Sequence, residues 1–166
     1  IALRRLLLKA GAECGIREFG FNALLSLRLE KGFGIWSAEF TQGYTPGMTG
    51  MDQWIDWDKE HFIGQAAAIK ERDGNGPSQK LVMLEIDADY ADASGYEPVW
   101  NNDSLVGFVT SGGYGHTVKK SLALALVNNE LAKKDQKLKV HVVGVEKDAK
   151  VIQMSPYDPD GLVMRV

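Results

Sequence analysis

A single cysteine stands among the 166 residues, so no intrachain disulfide is available. The chain fits a reducing compartment, with Cys14 expected to be a buried, inert thiol. Three histidines, His61, His116 and His141, are scattered without metal-ligand spacing, and one cysteine cannot complete a common zinc set, so no metal site is expected. Long apolar runs are missing as well. Leu6-Leu7-Leu8, flanked by Arg4, Arg5 and Lys9, falls far short of the roughly 20 residues that a membrane helix needs. No small-residue cleavage site follows it, which argues against a secretory signal. The formal net charge of -3 is spread along the chain and leaves no basic stripe to recruit a phosphate backbone. Neither nucleic acid nor a membrane is expected as a partner. A Gly-x-Ser-x-Gly elbow is absent, so a triad assembled from Ser111, His116 and an acid has no support.

What the chain does have is apolar material for real cores, at 45% hydrophobic and 25% charged residues. Leu3, Leu6, Leu7 and Ala10 recur at helical spacing, and Gly11 and Gly15 supply places to stop. The helix pattern opens directly on Ile1 without a cap or leader, which suggests a fragment of a longer protein. A second helix is expected with Asn22 as its cap, Leu24, Leu25 and Leu29 on its apolar face and Gly32 at its left-handed end. Phe33 to Gly50, rich in glycine and aromatics and containing Thr45-Pro46, reads as extended or looped chain. A third helix is expected from a cap at Asp58 through Lys70.

The clearest break is Asp73-Gly74-Asn75-Gly76-Pro77-Ser78, a cluster of turn formers. Beyond it come short β-like runs: Leu81 to Ile86, Val99-Trp100, Leu105 to Thr110, Leu122 to Val127, Leu138 to Val143 and Val151 to Met154. Turn signals at Asn101-Asn102-Asp103 and Ser111-Gly112-Gly113 separate them, and a helical turn is expected near Asn129 to Lys133. The pattern indicates an α+β chain ending in a small antiparallel barrel or sandwich.

Ser111-Gly112-Gly113-Tyr114-Gly115-His116 could cradle an anion through backbone N–H groups, but a tight hairpin whose glycines allow positive φ is favoured. Trp36, Trp54, Trp57 and Trp100, with Phe33, Phe40 and Tyr44, could line a pocket for a flat heterocycle. The competing reading is core packing, favoured for Trp54 and Trp100. Arg28 and Glu30, two apart on a helix, cannot face each other and each is expected to tie to a different segment.

The stretch Arg28-Leu29-Glu30-Lys31-Gly32 resembles the Arg-x-Glu-x-Gly signature of the glycine-cleavage T-protein superfamily. Tyr44-Thr45-Pro46 resembles its Thr-Pro element, and Lys59-Glu60-His61-Phe62-Ile63-Gly64 resembles an element of its dehydrogenase branch. Glu97-Pro98-Val99-Trp100, Val106 through His116, and Lys120-Ser121-Leu122-Ala123-Leu124 resemble the family's C-terminal barrel in the same order. Gly112-Gly113-Tyr114-Gly115-His116 looks like the form found in dimethylglycine and sarcosine dehydrogenases.

The resemblance implies a division at residues 1–76, the end of a folate-binding aminomethyltransferase domain, and 77–166, its small antiparallel β-barrel. It implies tetrahydrofolate as the small-molecule partner, accepting a one-carbon unit from a methylated glycine. FAD would sit only in a separate, upstream flavin dehydrogenase domain of the same parent, since this chain has no Gly-x-Gly-x-x-Gly fingerprint. The family's pteridine-recognising Glu and catalytic Asp also lie upstream, so no catalytic residue is assigned here and the fragment alone is expected to be inactive. Folate-binding candidates carried over are Trp36 and Glu39, after the signature helix, and Arg165 in the closing segment. Glu39 could equally be a structural contact to the barrel. Leu24 stands where T-proteins place an arginine for the folate tail, which keeps open a non-catalytic docking module of a multidomain dehydrogenase. The expected location is cytoplasmic, or the mitochondrial matrix in a eukaryote.

Overall fold

In the computed structural model, residues 1–165 are described, Met164 by its backbone alone. Four α-helices precede six strands. The helices are α1 (Ala2–Ala10), α2 (Phe21–Glu30), the one-turn α3 (Pro46–Thr49) and α4 (Gln65–Asp73). The strands are β1 (Gln79–Ile86), β2 (Pro98–Asn101), β3 (Ser104–Gly115), β4 (Lys120–Asn128), β5 (Lys137–Val142) and β6 (Val145–Ile152). They close into an antiparallel barrel in the order β1-β4-β3-β2-β5-β6, with β6 returning to β1. Closure gives every strand a hydrogen-bonded neighbour on both sides.

Alternation along the strands builds two cores. Val82, Leu84 and Ile86 of β1 meet Ala123, Ala125 and Val127 of β4 and Leu138, Val140 and Val142 of β5 inside the barrel. The opposite face of β4 carries Leu122, Leu124 and Leu126, which pack with Leu29 of α2 and with Tyr44 and Met48 under the preceding segment. Strand β4 is therefore apolar on both faces and reads as a continuous hydrophobic run, with alanines inside where space is short and leucines outside where a helix covers them.

Several local expectations shift. Asn22 lies inside α2, whose N-cap is Gly20. Gly32 does take the left-handed conformation, at φ 67. The segment from Phe33 to Gly50 contains α3, because Thr45 accepts a hydrogen bond from the Met48 N–H and Pro46 occupies the first turn, where its missing N–H costs nothing. The helix expected from Asp58 begins only at Gln65: Gly64, at φ 87, cannot continue a helix, and the fully exposed Ile63 has nothing to pack against. Ser111-Gly112-Gly113 is strand and not a turn; the β3–β4 reversal falls at residues 116–119. Gly112 is needed there for close approach, since a Cβ would lie 2.3 Å from the Ala93 carbonyl oxygen. The final strand starts at Val145 and ends before Met154; its charged positions face outward against β5 and hide the β pattern. Cys14 is exposed, in a short 3-10 turn that buries none of its residues.

Candidate functional site

Helix α2 ends in a Schellman arrangement: the Phe33 N–H donates to the Arg28 carbonyl and the Gly32 N–H to that of Leu29. This reverses the chain sharply and directs Arg28 and Glu30, from one helical turn, toward different segments. Glu30 is buried and accepts from the Thr117 N–H at 2.6 Å, the Val118 N–H at 2.9 Å and the Thr117 hydroxyl at 2.9 Å. An anion cradle of backbone N–H groups does exist at the β3–β4 turn, one residue past the Gly-rich stretch, and the protein's own carboxylate fills it.

The second carboxylate, Glu39, is 0% exposed. Its Oε1 accepts from the Ser111 hydroxyl at 2.5 Å, and its Oε2 accepts from the Ile35 N–H at 2.7 Å and from Arg28 Nη1 at 3.5 Å. Arg28 also donates to the Phe33 carbonyl at 3.1 Å, while its buried Nε has no partner among the described residues. Burial pulls the Arg28 guanidinium below its ordinary value, and the neighbouring Glu39 charge opposes this. Arg28 and Glu30 are thus both ties between segments, with different partners.

The Ala38 and Glu39 N–H groups donate to the Ile35 carbonyl, closing a tight turn from Ile35 to Glu39. On that turn Trp36 is displayed with 79% of its surface exposed. Trp36 and Glu39 therefore share one turn but differ in access: the indole is available to a ligand, whereas both Glu39 oxygens are engaged within the protein. Arg165 is exposed in a 3-10 turn at Val163–Arg165, at the end of a strap that folds back on α2. The strap is held where the Tyr157 N–H donates to the Glu30 carbonyl and Lys31 pairs with Asp158 at 3.3 Å. Gly32 admits it: a Cβ there would lie 2.1 Å from the Met154 carbonyl oxygen.

The other aromatics do not gather into one pocket. Trp54, expected in a core, is 76% exposed, on a 3-10 turn that buries none of its residues. Trp57 lies 4.4 Å beneath the Arg72 guanidinium, and Trp100 sits on the barrel wall with its ring centre 5.6 Å from that of His141. A cavity of about 820 Å³ opens between the β3–β4 turn and the ends of β1, β5 and β6, and Trp36, Glu39 and Arg165 are not among its lining residues. Its walls interleave Lys119, Lys120, Lys137 and Lys150 with Glu85, Asp87, Asp89 and Asp148, so their charges cancel locally. We place the candidate site at the Trp36 turn, where an exposed ring, a partly buried cation and a locked backbone coincide. Ser111 and Thr117 were not legible as partners, being 72 and 87 residues from the carboxylates they serve.

Comparison with known proteins gives these features a lineage. A family model described as glycine cleavage T-protein C-terminal barrel domain matches residues 79–158, and one described as GCVT N-terminal domain matches residues 2–59. Mitochondrial dimethylglycine dehydrogenase of Rattus norvegicus is 36% identical over 152 residues, covering 92% of this chain and 18% of the relative. An aminomethyltransferase of Synechocystis is 36% identical over 140 residues, covering 84% of this chain and 37% of the relative. The crystal structure of glycine cleavage system aminomethyltransferase T from Bartonella henselae superposes with a TM-score of 0.83 at 22% identity, over 94% of this chain and 44% of that one, a likeness of fold. The chain spans less than half the length of each of these proteins, and within that span it belongs to the glycine-cleavage T-protein superfamily, alongside the aminomethyltransferases and dimethylglycine dehydrogenases.

Proposed function

We propose that this chain is the C-terminal part of a tetrahydrofolate-dependent aminomethyl-transfer protein that passes a one-carbon unit from dimethylglycine or sarcosine to folate. In this reading residues 1–76 complete the folate-binding domain and 77–166 form its barrel. The observation that carries it is the aromatic, apolar face beside the signature helix: Phe21, Leu24, Leu27, Phe33 and Trp36 are all exposed, next to a partly buried guanidinium.

The residues present suit a folate. Trp36 offers a flat face for a ring. Arg165 offers a cationic fork for the glutamate carboxylates of the tail. Glu39, with its oxygens engaged, serves the ligand through the turn it closes. Tetrahydrofolate, when bound, supplies the nitrogens that accept the one-carbon unit; the protein walls hold the ring and keep water from the reacting carbon. FAD belongs, in this reading, to a separate N-terminal domain of the parent. The rat and human dimethylglycine dehydrogenases are named mitochondrial, which supports the matrix for a eukaryotic parent. Among the described residues no helix is long and apolar enough to cross a membrane.

A second reading, a docking module that has lost one-carbon chemistry, is favoured by Leu24 at the place of the tail-binding arginine. Anaerobic calorimetric titration of tetrahydrofolate into the full-length parent and into this chain separates the two. Tight binding to the parent with weak binding here supports a pocket shared with upstream residues. No heat with either protein overturns the transfer reading and leaves the docking module.

A further inference from the structure

We infer that Glu39 is a positioning residue: clamped by Ser111 and Arg28, its carboxylate locks the Ile35–Glu39 turn and so presents the Trp36 indole to the ligand in one orientation. This rests on the folate reading of the Trp36 turn and goes beyond it, because Glu39 lies out of reach of any ligand.

Three segments converge on one carboxylate. The turn contributes the Ile35 N–H, helix α2 contributes Arg28 and the barrel contributes the Ser111 hydroxyl. A charge removed from water is costly, and it is tolerated here because both oxygens find donors. One of those donors exists only through an irregularity in the barrel. Strand β3 shifts register against β4 between Val109 and Ser111. Val109 pairs with Ala125, whose side chain is inside the barrel, and Ser111 pairs with Leu124, whose side chain is outside against α2. In a regular strand Ser111 would share the inward phase of Val109. The bulge reverses that phase and aims the hydroxyl outward at Glu39.

The consequence falls on Trp36. Its neighbour Ile35 is held by the carboxylate, and the Ala38 and Glu39 N–H groups close the turn on the Ile35 carbonyl. An exposed indole on a fixed backbone loses less freedom on meeting a flat ligand than one on a mobile loop, so the clamp converts barrel rigidity into affinity.

The test uses the full-length parent. Tetrahydrofolate is titrated into the wild type, Trp36→Ala, Ser111→Ala, Glu39→Gln and the double variant Trp36→Ala/Glu39→Gln. Trp36 anisotropy is followed by subtracting the signal of the matching Trp36→Phe background. Losing the indole is expected to weaken binding about tenfold, the scale of one aromatic stacking contact. Ser111→Ala and Glu39→Gln are expected to weaken binding severalfold and to lower Trp36 anisotropy, and Ser111→Thr to restore both. The double variant is expected to bind no worse than Trp36→Ala alone, because Glu39 acts through Trp36. Additive losses in the double variant, or unchanged anisotropy in both Ser111→Ala and Glu39→Gln, overturn the inference. Should Trp36→Ala bind as the wild type does, the folate reading of this turn fails instead, and the anisotropy still decides whether the clamp orients the indole. If Glu39→Gln does not fold, the Ser111 pair carries the test.

Discussion

The barrel and the segment before it treat their apolar side chains in opposite ways. In the barrel, Leu84, Val99, Val109, Leu122, Leu124 and Leu126 are all completely buried. In the first 40 residues, Leu3, Leu6, Leu7, Phe19, Phe21 and Leu27 are exposed, and helix α1 buries none of its residues. Closure explains the barrel, since alternation supplies an inner core and α2 covers part of the outside. The preceding segment is instead organised by polar ties: Glu30 to the Thr117 turn, Glu39 to Ser111 and Lys31 to Asp158. Hydrogen-bonded carboxylates can place a chain precisely without burying much apolar surface.

The sharpest way to break this contrast is a pair of equal truncations. Leu84→Ala should cost about 3 kcal/mol, as expected for a fully buried leucine, whereas Leu6→Ala in α1 should stay within about 0.5 kcal/mol. Urea denaturation of both variants measures this, and equal losses would mean that α1 is part of the core. Next in size, Glu30→Ala leaves two N–H groups and a hydroxyl of the β3–β4 turn without their acceptor, a loss of about 2 kcal/mol by the same method.

The barrel also holds an irregular spot of its own. Val143, 79% exposed in the β5–β6 turn, adopts φ 49, a left-handed conformation hostile to a β-branched side chain. Val143→Asn should raise stability by about 1 kcal/mol, read as a higher denaturation midpoint with an unchanged slope. An unchanged midpoint would show that this turn carries no strain.

The smallest expected effect concerns the strap. Burial pushes the Asp158 carboxyl up, but the Val163 and Leu162 N–H groups and Lys31 more than offset this and hold it below the ordinary carboxylate value. A lowered folded-state value means the contribution is present above the ordinary range and is lost as pH falls through the folded value. Protection of the Leu162 N–H in hydrogen exchange should therefore decline in acid, and Asp158→Asn should remove that pH dependence. A decline unaltered in Asp158→Asn would assign the acid sensitivity elsewhere.

Much of the barrel is readable from local pattern. The runs from Leu81, Val99, Leu122 and Leu138 each mark a strand, and the turn formers at residues 101–103 mark the β2–β3 reversal. Reading is weaker where charge masks alternation, as in β6, or where glycine has two uses, as at Gly112. In the helical segment the left-handed Gly32 was legible, while the start of α4 was not, because capping residues such as Asp58 also favour plain turns.

What the sequence determined by itself was therefore the local periodicity, the α+β class and the ordered segments of a T-protein. What only the tertiary structure decided was which carboxylate meets which donor. Nothing near Glu39 in sequence specifies Ser111, and its outward phase depends on a single register shift in β3. Likewise the exposure of Trp36 and the burial of Glu39, three residues apart, follow from how the turn is held against the barrel. Periodicity is a property of neighbours along the chain, whereas a clamp is a property of neighbours in space.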